Sequence, residues 1–310
     1  MIPDFTGVPV LVTGGAGFIG SHLVDALLAR GARVRVLDDL STGRRENLSP
    51  GGDQLELIEG DIRDAEACRA ACEGVEYVFH QAALGSVPRS VSDPATSIDV
   101  NVTGTANVFA ASRAARRVIY ASSSSVYGDG EAVVKREGEE GRPLSPYAAS
   151  KAMGEQLAEV FARCYGQELI GLRYFNVYGP RQSPDGPYAA VVPRFFRACL
   201  AGEAPVIHGD GEQSRDFTWV GDAVLANLLA AGAPAEACGR AYNVARGEGT
   251  TVKELAARVR ELVGGGLPPR HEPPRPGDVR HSQADPSAAE ARLGFRAEVA
   301  LREGLERTWR

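Results

Sequence analysis

Lysine is nearly missing from this chain: of 34 basic residues only Lys135, Lys151 and Lys253 are lysines. A lysine inside a motif therefore weighs more than a casual surface charge. Excess positive charge is missing too. The formal net charge is −6, which gives no reason to propose nucleic acid or a membrane surface as a partner. No apolar run approaches the ~18–20 residues needed to cross a bilayer. Met1 leads into an apolar strand without the basic stretch and long apolar core of a signal peptide. These absences predict a cytoplasmic, reduced protein. The five cysteines, at 68, 72, 164, 199 and 238, are scattered and odd in number. Cys68 and Cys72 have helical spacing but no histidine nearby, so neither a disulfide framework nor a metal site is expected.

What is present is the composition of an ordinary globular protein, 44% hydrophobic and 24% charged over 310 residues. That length suits one large or two modest domains. The first half alternates strand-like and helix-like runs: VPVLVTG, a helix over 18–30, ARVRVLDD, LELIEGD, a helix near 64–73, and VEYVFHQA. It continues with a helix over about 100–115, the strand RVIYASSSS, a helix from Tyr147 to about Tyr165, and ELIGLRYFNVYGP. Such alternation predicts an α/β fold with a doubly wound parallel sheet. Beyond about 175 the texture turns Gly- and Pro-rich, interrupted by helices near 191–202 and 252–263. Thr250/Thr251 open the latter, with Glu254 at capping-box spacing. The expected division is a dinucleotide-binding Rossmann domain over 1–174, with return segments near 217–247, and a smaller mixed α/β substrate domain over 175–310.

Two motifs carry chemistry. TGGAGFIG sets Gly14, Gly17 and Gly20 after a strand and at the mouth of a helix, where a backbone can approach a pyrophosphate at a helix N-terminus. Asp38 ends the next strand, about 20 residues on, placed to accept hydrogen bonds from adenosine ribose hydroxyls. NAD is therefore expected over NADP, although Arg44 and Arg45 stand near. In SPYAASK, Tyr147 and Lys151 share a helical face. A nearby ammonium is expected to lower the phenol pKa and make a base for an alcohol proton. The same Ser145, Pro146 and Tyr147 also fit a plain helix start.

The order of glycine loop, acidic strand end, serine-rich strand end and YxxxK resembles the extended short-chain dehydrogenase/reductase family. HQAALGSVPRS, ASSSSVYG, SPYAASK, LRYFNVYGPRQ, SRDFTWV and RPGDVRHSQAD resemble the UDP-hexose 4-epimerases within it, and RHSQAD the bacterial UDP-N-acetylglucosamine 4-epimerases.

The resemblance implies the cofactor NAD and a UDP-sugar substrate, with a homodimer formed through the helices near 100–115 and 147–165. It places Phe18 and Ile19 along the pyrophosphate, and Asp38, Asp39, Leu40, Ser41, Thr42 and Gly43 around the adenosine ribose. Asp61 and Ile62 would flank the adenine. Gln81, Ala82, Ala83 and Gly85 would follow the next strand, Val100 and Asn101 line the site, and Tyr174 and Phe175 approach the nicotinamide. Ser123, Tyr147 and Lys151 would form the catalytic set; spacing back from Tyr127–Gly128 selects Ser123 within the run 122–125, with Ser124 beside it. Asn176, Ala190, Val191, Val206, His208, Arg215, Arg275 and Ser282 match nucleotide-sugar positions. Arg215 and Arg275 suit a diphosphate, which wants forked, permanent cations. Read from residues alone, both arginines also fit an ordinary surface.

The implied reaction oxidises the sugar at C4 to a transient 4-keto sugar, which turns over and is reduced on its other face. The small Ser282 implies room for an N-acetyl group beside C2. A 4,6-dehydratase needs carboxyl groups where this chain has Ser124 and Ser125. A UDP-glucuronate 4-epimerase or decarboxylase and a non-catalytic NAD-binding scaffold are the other readings. His80, ending an apolar strand, is expected as a hydrogen-bonded core residue. The link between the 100–115 helix and RVIYASS reads a residue or two short for the family.

Overall fold

The computed structural model describes residues 1–185, 189–274 and 279–309. From the N-terminus run β1 (Pro9–Thr13), α1 (Phe18–Leu28), β2 (Arg33–Asp38), β3 (Leu55–Glu59), α2 (Ala65–Cys72) and β4 (Tyr77–His80). Next come α3 (Val87–Ser92), α4 (Pro94–Ile98), a π-turn over Asp99–Gly104, α5 (Thr105–Ala111) and β5 (Arg117–Ser123). β6 (Val134–Lys135), α6 (Pro146–Tyr165), β7 (Leu169–Tyr174) and β8 (Val177–Tyr178) follow. Then come α7 (Val191–Leu200), β9 (Val206–His208), β10 (Ser214–Asp216), β11 (Thr218–Trp219), α8 (Val220–Ala231) and β12 (Arg240–Val244). The chain closes with β13 (Gly249–Thr251), α9 (Val252–Leu262), β14 (Arg270–Glu272), β15 (His281–Ala284), α10 (Ser287–Leu293) and α11 (Leu301–Trp309).

The central sheet has seven parallel strands in the order β12-β7-β5-β4-β1-β2-β3. Strand order reverses beside β1, so the doubly wound expectation holds and a crevice opens at the carboxyl ends of β1 and β4. Side-chain alternation divides the core between the two faces. Val10 and Val12 join one cluster with Leu23, Leu27 and Leu228, whereas Leu11 joins the other with Val78, Val118 and Phe109. Cys68 and Cys72 belong to the second cluster, and the Cys68 thiol donates to the Ile62 carbonyl. A third cluster gathers Tyr178, Phe195, Trp219, Leu255 and Leu305 from the later elements. Beside it stands a small sheet in the order β13-β10-β15-β6.

Helix ends follow local chemistry. The Ser145 side chain accepts from Ala148 N–H, Pro146 opens α6, and Gly166 ends it in the left-handed region at φ 65°. Thr251 and Glu254 form the expected capping box of α9. The helix expected over 100–115 is different. It begins earlier, in three short pieces from Val87, passes through the π-turn, and stops at Ala111 with Ser112 as its cap. Residues 112–116 therefore make the link to β5. His80 is buried between Thr13 Oγ1 at 2.7 Å and Thr105 Oγ1 at 2.9 Å, and burial pushes its pKa down to about 3. It is a neutral core residue, as expected.

Candidate active site

The crevice is a cavity of about 570 Å³. Its floor is the turn between β1 and α1. Gly14 adopts φ +67°, and a Cβ built there would meet Ala82 Cα at 2.7 Å. A Cβ at Gly20 would sit 2.1 Å from the Gly14 carbonyl oxygen. Only hydrogen fits at these places, so the loop folds tightly against the start of α1 and leaves the cavity open above it. At the β2 end, Asp38 accepts from Ala16 N–H and Leu40 N–H, both at 2.9 Å. Burial raises its pKa while these two bonds pull it down. Each oxygen retains a lone pair for a further donor.

The residues expected around a dinucleotide converge here. Gly14, Gly17, Phe18, Ile19, Gly20, Asp38, Asp39, Ser41, Thr42, Asp61 and Ile62 line one half of the cavity. Gln81, Ala82, Ala83, Gly85, Val100, Tyr147, Lys151 and Tyr174 line the rest of the expected set. Three do not. Leu40 turns away at φ +55°, Gly43 is wedged against Ala16 and Asp38, and Phe175 is fully buried with Tyr127 in a core cluster. Strand alternation explains the last: Tyr174 faces the cavity, so its neighbour turns inward. Tyr174 is held by Gln81 Oε1 at 3.1 Å and Asn227 Nδ2 at 2.7 Å. Asn101 fixes the loop after β4 by accepting from Leu84 N–H and donating to Leu84 O and Ser150 Oγ.

At the far wall the end of β5 meets the start of α6. Ser123, Ser124, Tyr147, Lys151, Asn176 and Ala190 share this wall. Ser123 stands beside the Tyr147 phenol and draws its pKa down, while its Oγ accepts from Ser125 N–H at 3.1 Å. Lys151 Nζ donates to Ala121 O at 2.8 Å and stands 6.0 Å from the centroid of the Tyr147 ring. Burial pushes the Lys151 pKa down to about 8, opposed by Glu155. The expectation that Lys151 lowers the phenol is corrected here. Burial raises the Tyr147 pKa, and what opposes the rise is Ser123, because the ammonium is turned to a backbone carbonyl.

The other substrate candidates lie apart from this wall. Val191 starts α7, and Val206 and His208 sit on β9, with His208 Nδ1 3.3 Å from Pro273 O. Arg215 and Ser282 face each other in register across β10 and β15, and Arg215 donates to Ser214 O and Arg280 O. Arg275 lies outside the described residues.

Sequence reading gave no binding role to Ser125 or Gln182, which also line the cavity. Ser125 Oγ and Gln182 Oε1 are buried with no hydrogen-bond partner among the described residues, which marks places where a bound molecule would be met. Both stand inside motifs quoted above, but nothing in a linear motif says which side chain is left unpaired. Asn227 had no signal at all, because its partners lie far away in the chain. The glycine cradle, the open shelf above it and these unpaired polar atoms fit an extended dinucleotide.

The chain matches the model of the NAD dependent epimerase/dehydratase family over residues 10–245. It is 44% identical over 304 residues to a UDP-glucose 4-epimerase of Mycolicibacterium smegmatis, covering 96% of each chain. Among solved structures it is similar to a UDP-glucose 4-epimerase with UDP-glucose from Thermotoga maritima (TM-score 0.93, 41% identity, 97% of each chain). It is equally similar to a UDP-N-acetylglucosamine 4-epimerase in complex with UDP-N-acetylmuramic acid from Methanobrevibacter ruminantium (TM-score 0.93, 40% identity, 98% of each chain).

Proposed function

Because the chain belongs to the NAD dependent epimerase/dehydratase family, we propose that it is a UDP-sugar 4-epimerase that passes through a transient 4-keto sugar. NAD is its cofactor. The observation that carries the reading is the wall that Ser123, Tyr147 and Lys151 share above the glycine cradle, with the hydroxyls of Ser124 and Ser125 beside them and no carboxyl group on it among the described residues. A 4,6-dehydratase needs an acid and a carboxylate there to eliminate water; hydroxyls do not titrate in the useful range.

NAD would be held between the Gly14–Gly20 turn, Asp38 and Tyr174, and would supply a two-electron acceptor and donor for the sugar C4 carbon. Tyr147 takes the 4-hydroxyl proton as phenolate and gives it back after the hexose has turned. Burial holds the Tyr147 phenol up and Ser123 pulls it the other way. Ser123 donates to the phenolate oxygen and orients the sugar hydroxyl. Lys151 supplies the ammonium on the same helical face. Asp38 receives the adenosine ribose hydroxyls, and Asn176 and Ala190 border the sugar.

The finer reading is that the enzyme acts on the UDP-N-acetylglucosamine/galactosamine pair and on the UDP-glucose/galactose pair. Two features support it: serine at 282 is small, and it is paired in register with Arg215, the described candidate for the diphosphate. Val191, Val206 and His208 are assigned to the nucleotide in the same reading, with Arg275 as a second diphosphate cation. The segment 175–310 would then act as the substrate domain. Exposed Met153, Val160 and Tyr165 on α6 support a homodimer through that helix; light scattering tests it. No helix among the described residues is long and apolar enough to cross a membrane.

The deciding experiment is a product assay of the purified, NAD-loaded protein on UDP-glucose, UDP-N-acetylglucosamine and UDP-glucuronate side by side. The expected result is the C4 epimer of the first two without stoichiometric NADH. Loss of water or carbon dioxide from any of them would replace this reading with a lyase.

A further inference from the structure

Three successive residues at the end of β5 are tied to three successive turns of α6. Ser123 stands beside Tyr147 and draws its phenol down, the Ala121 carbonyl receives the Lys151 ammonium, and Ser122 Oγ donates to Glu155 Oε1. Tyr147, Lys151 and Glu155 recur every four residues and therefore share one face of the helix. Glu155 is itself pinned. Arg173 on β7 grips it in a fork, Nε to Oε1 at 2.9 Å and Nη2 to Oε2 at 2.7 Å. The remaining side of Arg173 goes to Tyr127 OH at 2.9 Å and to Glu140. Arg173 and Glu155 are only 7% and 16% exposed. Two cations, Lys151 and Arg173, thus lie behind the reacting wall with the carboxylates Glu155 and Glu140, and Glu137 also interacts with Arg173.

We propose that Glu155 is a positioning residue for the reacting set, fixing the register of β5 against α6 and supplying the negative charge that balances the Lys151 ammonium. The proposal rests on the epimerase reading only in that Lys151 belongs to the reacting site. A buried ammonium is costly, and burial alone already draws Lys151 down to about 8. Glu155 is the one group that acts in the opposite direction. The other ionisable groups on the elements around α6 do not replace it. His80 on β4 and Tyr120 on β5 are buried and neutral at working pH, and Tyr174 on β7 is an uncharged phenol. Arg173 carries the same sign as Lys151. Asp99 on the π-turn is paired to Arg63.

The scarcity of lysine makes a direct test practical. Protein labelled with carbon-13 at lysine Cε shows only three side-chain signals, from Lys135, Lys151 and Lys253. In the wild type the Lys151 signal should titrate near pH 8. In Glu155→Gln the midpoint should fall by at least about one pH unit, the scale of a neighbouring opposite charge. The alkaline limb of kcat should move down with it. Ser122→Ala keeps the charge but removes one tie. Its midpoint should stay in place while kcat drops about tenfold or more with KM little changed, because the reacting groups lose register. An unmoved Lys151 midpoint in Glu155→Gln overturns the proposal, as does parental kcat in Ser122→Ala. If Glu155→Gln does not fold, Glu155→Asp decides. Retention of the wild-type midpoint there supports the charge role, and a fall of a full unit despite the retained charge overturns it. The titration needs no substrate, so a wild type that epimerises nothing would defeat the epimerase reading without touching this result.

Discussion

Gly20→Ala adds one methyl group and should disable the cofactor cradle. The new Cβ would lie 2.1 Å from the Gly14 carbonyl oxygen, 2.8 Å from Gly14 C and 2.9 Å from Gly15 Cα. All three are backbone atoms, so no side-chain rotation relieves the overlap. The first contact is more than 1 Å short of ordinary van der Waals separation, and either the loop or the start of α1 must move by about that much. Overpacking of this kind costs about 1–3 kcal/mol. The same displacement removes the loop from the line a pyrophosphate would follow. NAD affinity measured by calorimetry should fall at least about tenfold, equivalent to about 1.4 kcal/mol, and the thermal midpoint should drop. Gly154→Ala is the matched control. Gly154 lies inside α6, and its Cβ would meet nothing within 4 Å. There the substitution should stabilise by about 0.5–1 kcal/mol through helix propensity. Equal NAD affinity in Gly20→Ala and wild type would refute the cradle argument, and destabilisation by both variants alike would show that the contacts at Gly20 are not what matters.

Tyr147→Phe keeps the ring and removes the base, so kcat should fall at least ~10²-fold with NAD binding intact; near-parental turnover removes Tyr147 from the mechanism. Asp38→Ala should weaken NAD binding by roughly 1–3 kcal/mol, since ribose hydroxyls and the Ala16 and Leu40 amides lose their acceptor; preference for NADP in the parent protein would overturn the role. Ser282→Tyr should abolish turnover of acetylated UDP-sugars while UDP-galactose turnover persists, and an unchanged rate on UDP-N-acetylglucosamine removes Ser282 as the gate. Asp216 is fully buried and accepts from Arg246, Gly247 and Ala284 N–H, and burial raises its pKa to about 6. The folded state therefore binds more protons than the unfolded state between pH about 4 and 6, and this group's contribution to stability falls as pH rises through that window. Urea unfolding at pH 4.5 and pH 7 should show Asp216→Asn lacking this slope, which is worth at most roughly 3 kcal/mol; equal slopes would refute it.

The strand and helix alternation, the glycine loop with Asp38, and Tyr147 with Lys151 were legible because each is local. Periodicity, capping residues and i, i+4 spacing operate over one or two turns and need no knowledge of the rest of the chain. Counting back along one strand also selects Ser123, which lies on the cavity wall with Tyr147. The direction of the Tyr147 pKa was not legible, because it depends on how much water the packed wall excludes and on Ala121 O claiming the lysine. Phe175 reads like its neighbour Tyr174, yet strand alternation within a particular sheet sends one to the core and the other to the cavity. The helix pieces from Val87 to Ala111 were misjudged for a similar reason: the π-turn there is held by packing against α4, α5 and α6, which no local propensity encodes. Glu155 was simply one more helical carboxylate. Only the approach of β5 and β7 to α6 gives it Ser122 and Arg173 as partners, since a chain fixes its neighbours in sequence, whereas the sheet order brings together residues that sequence keeps apart.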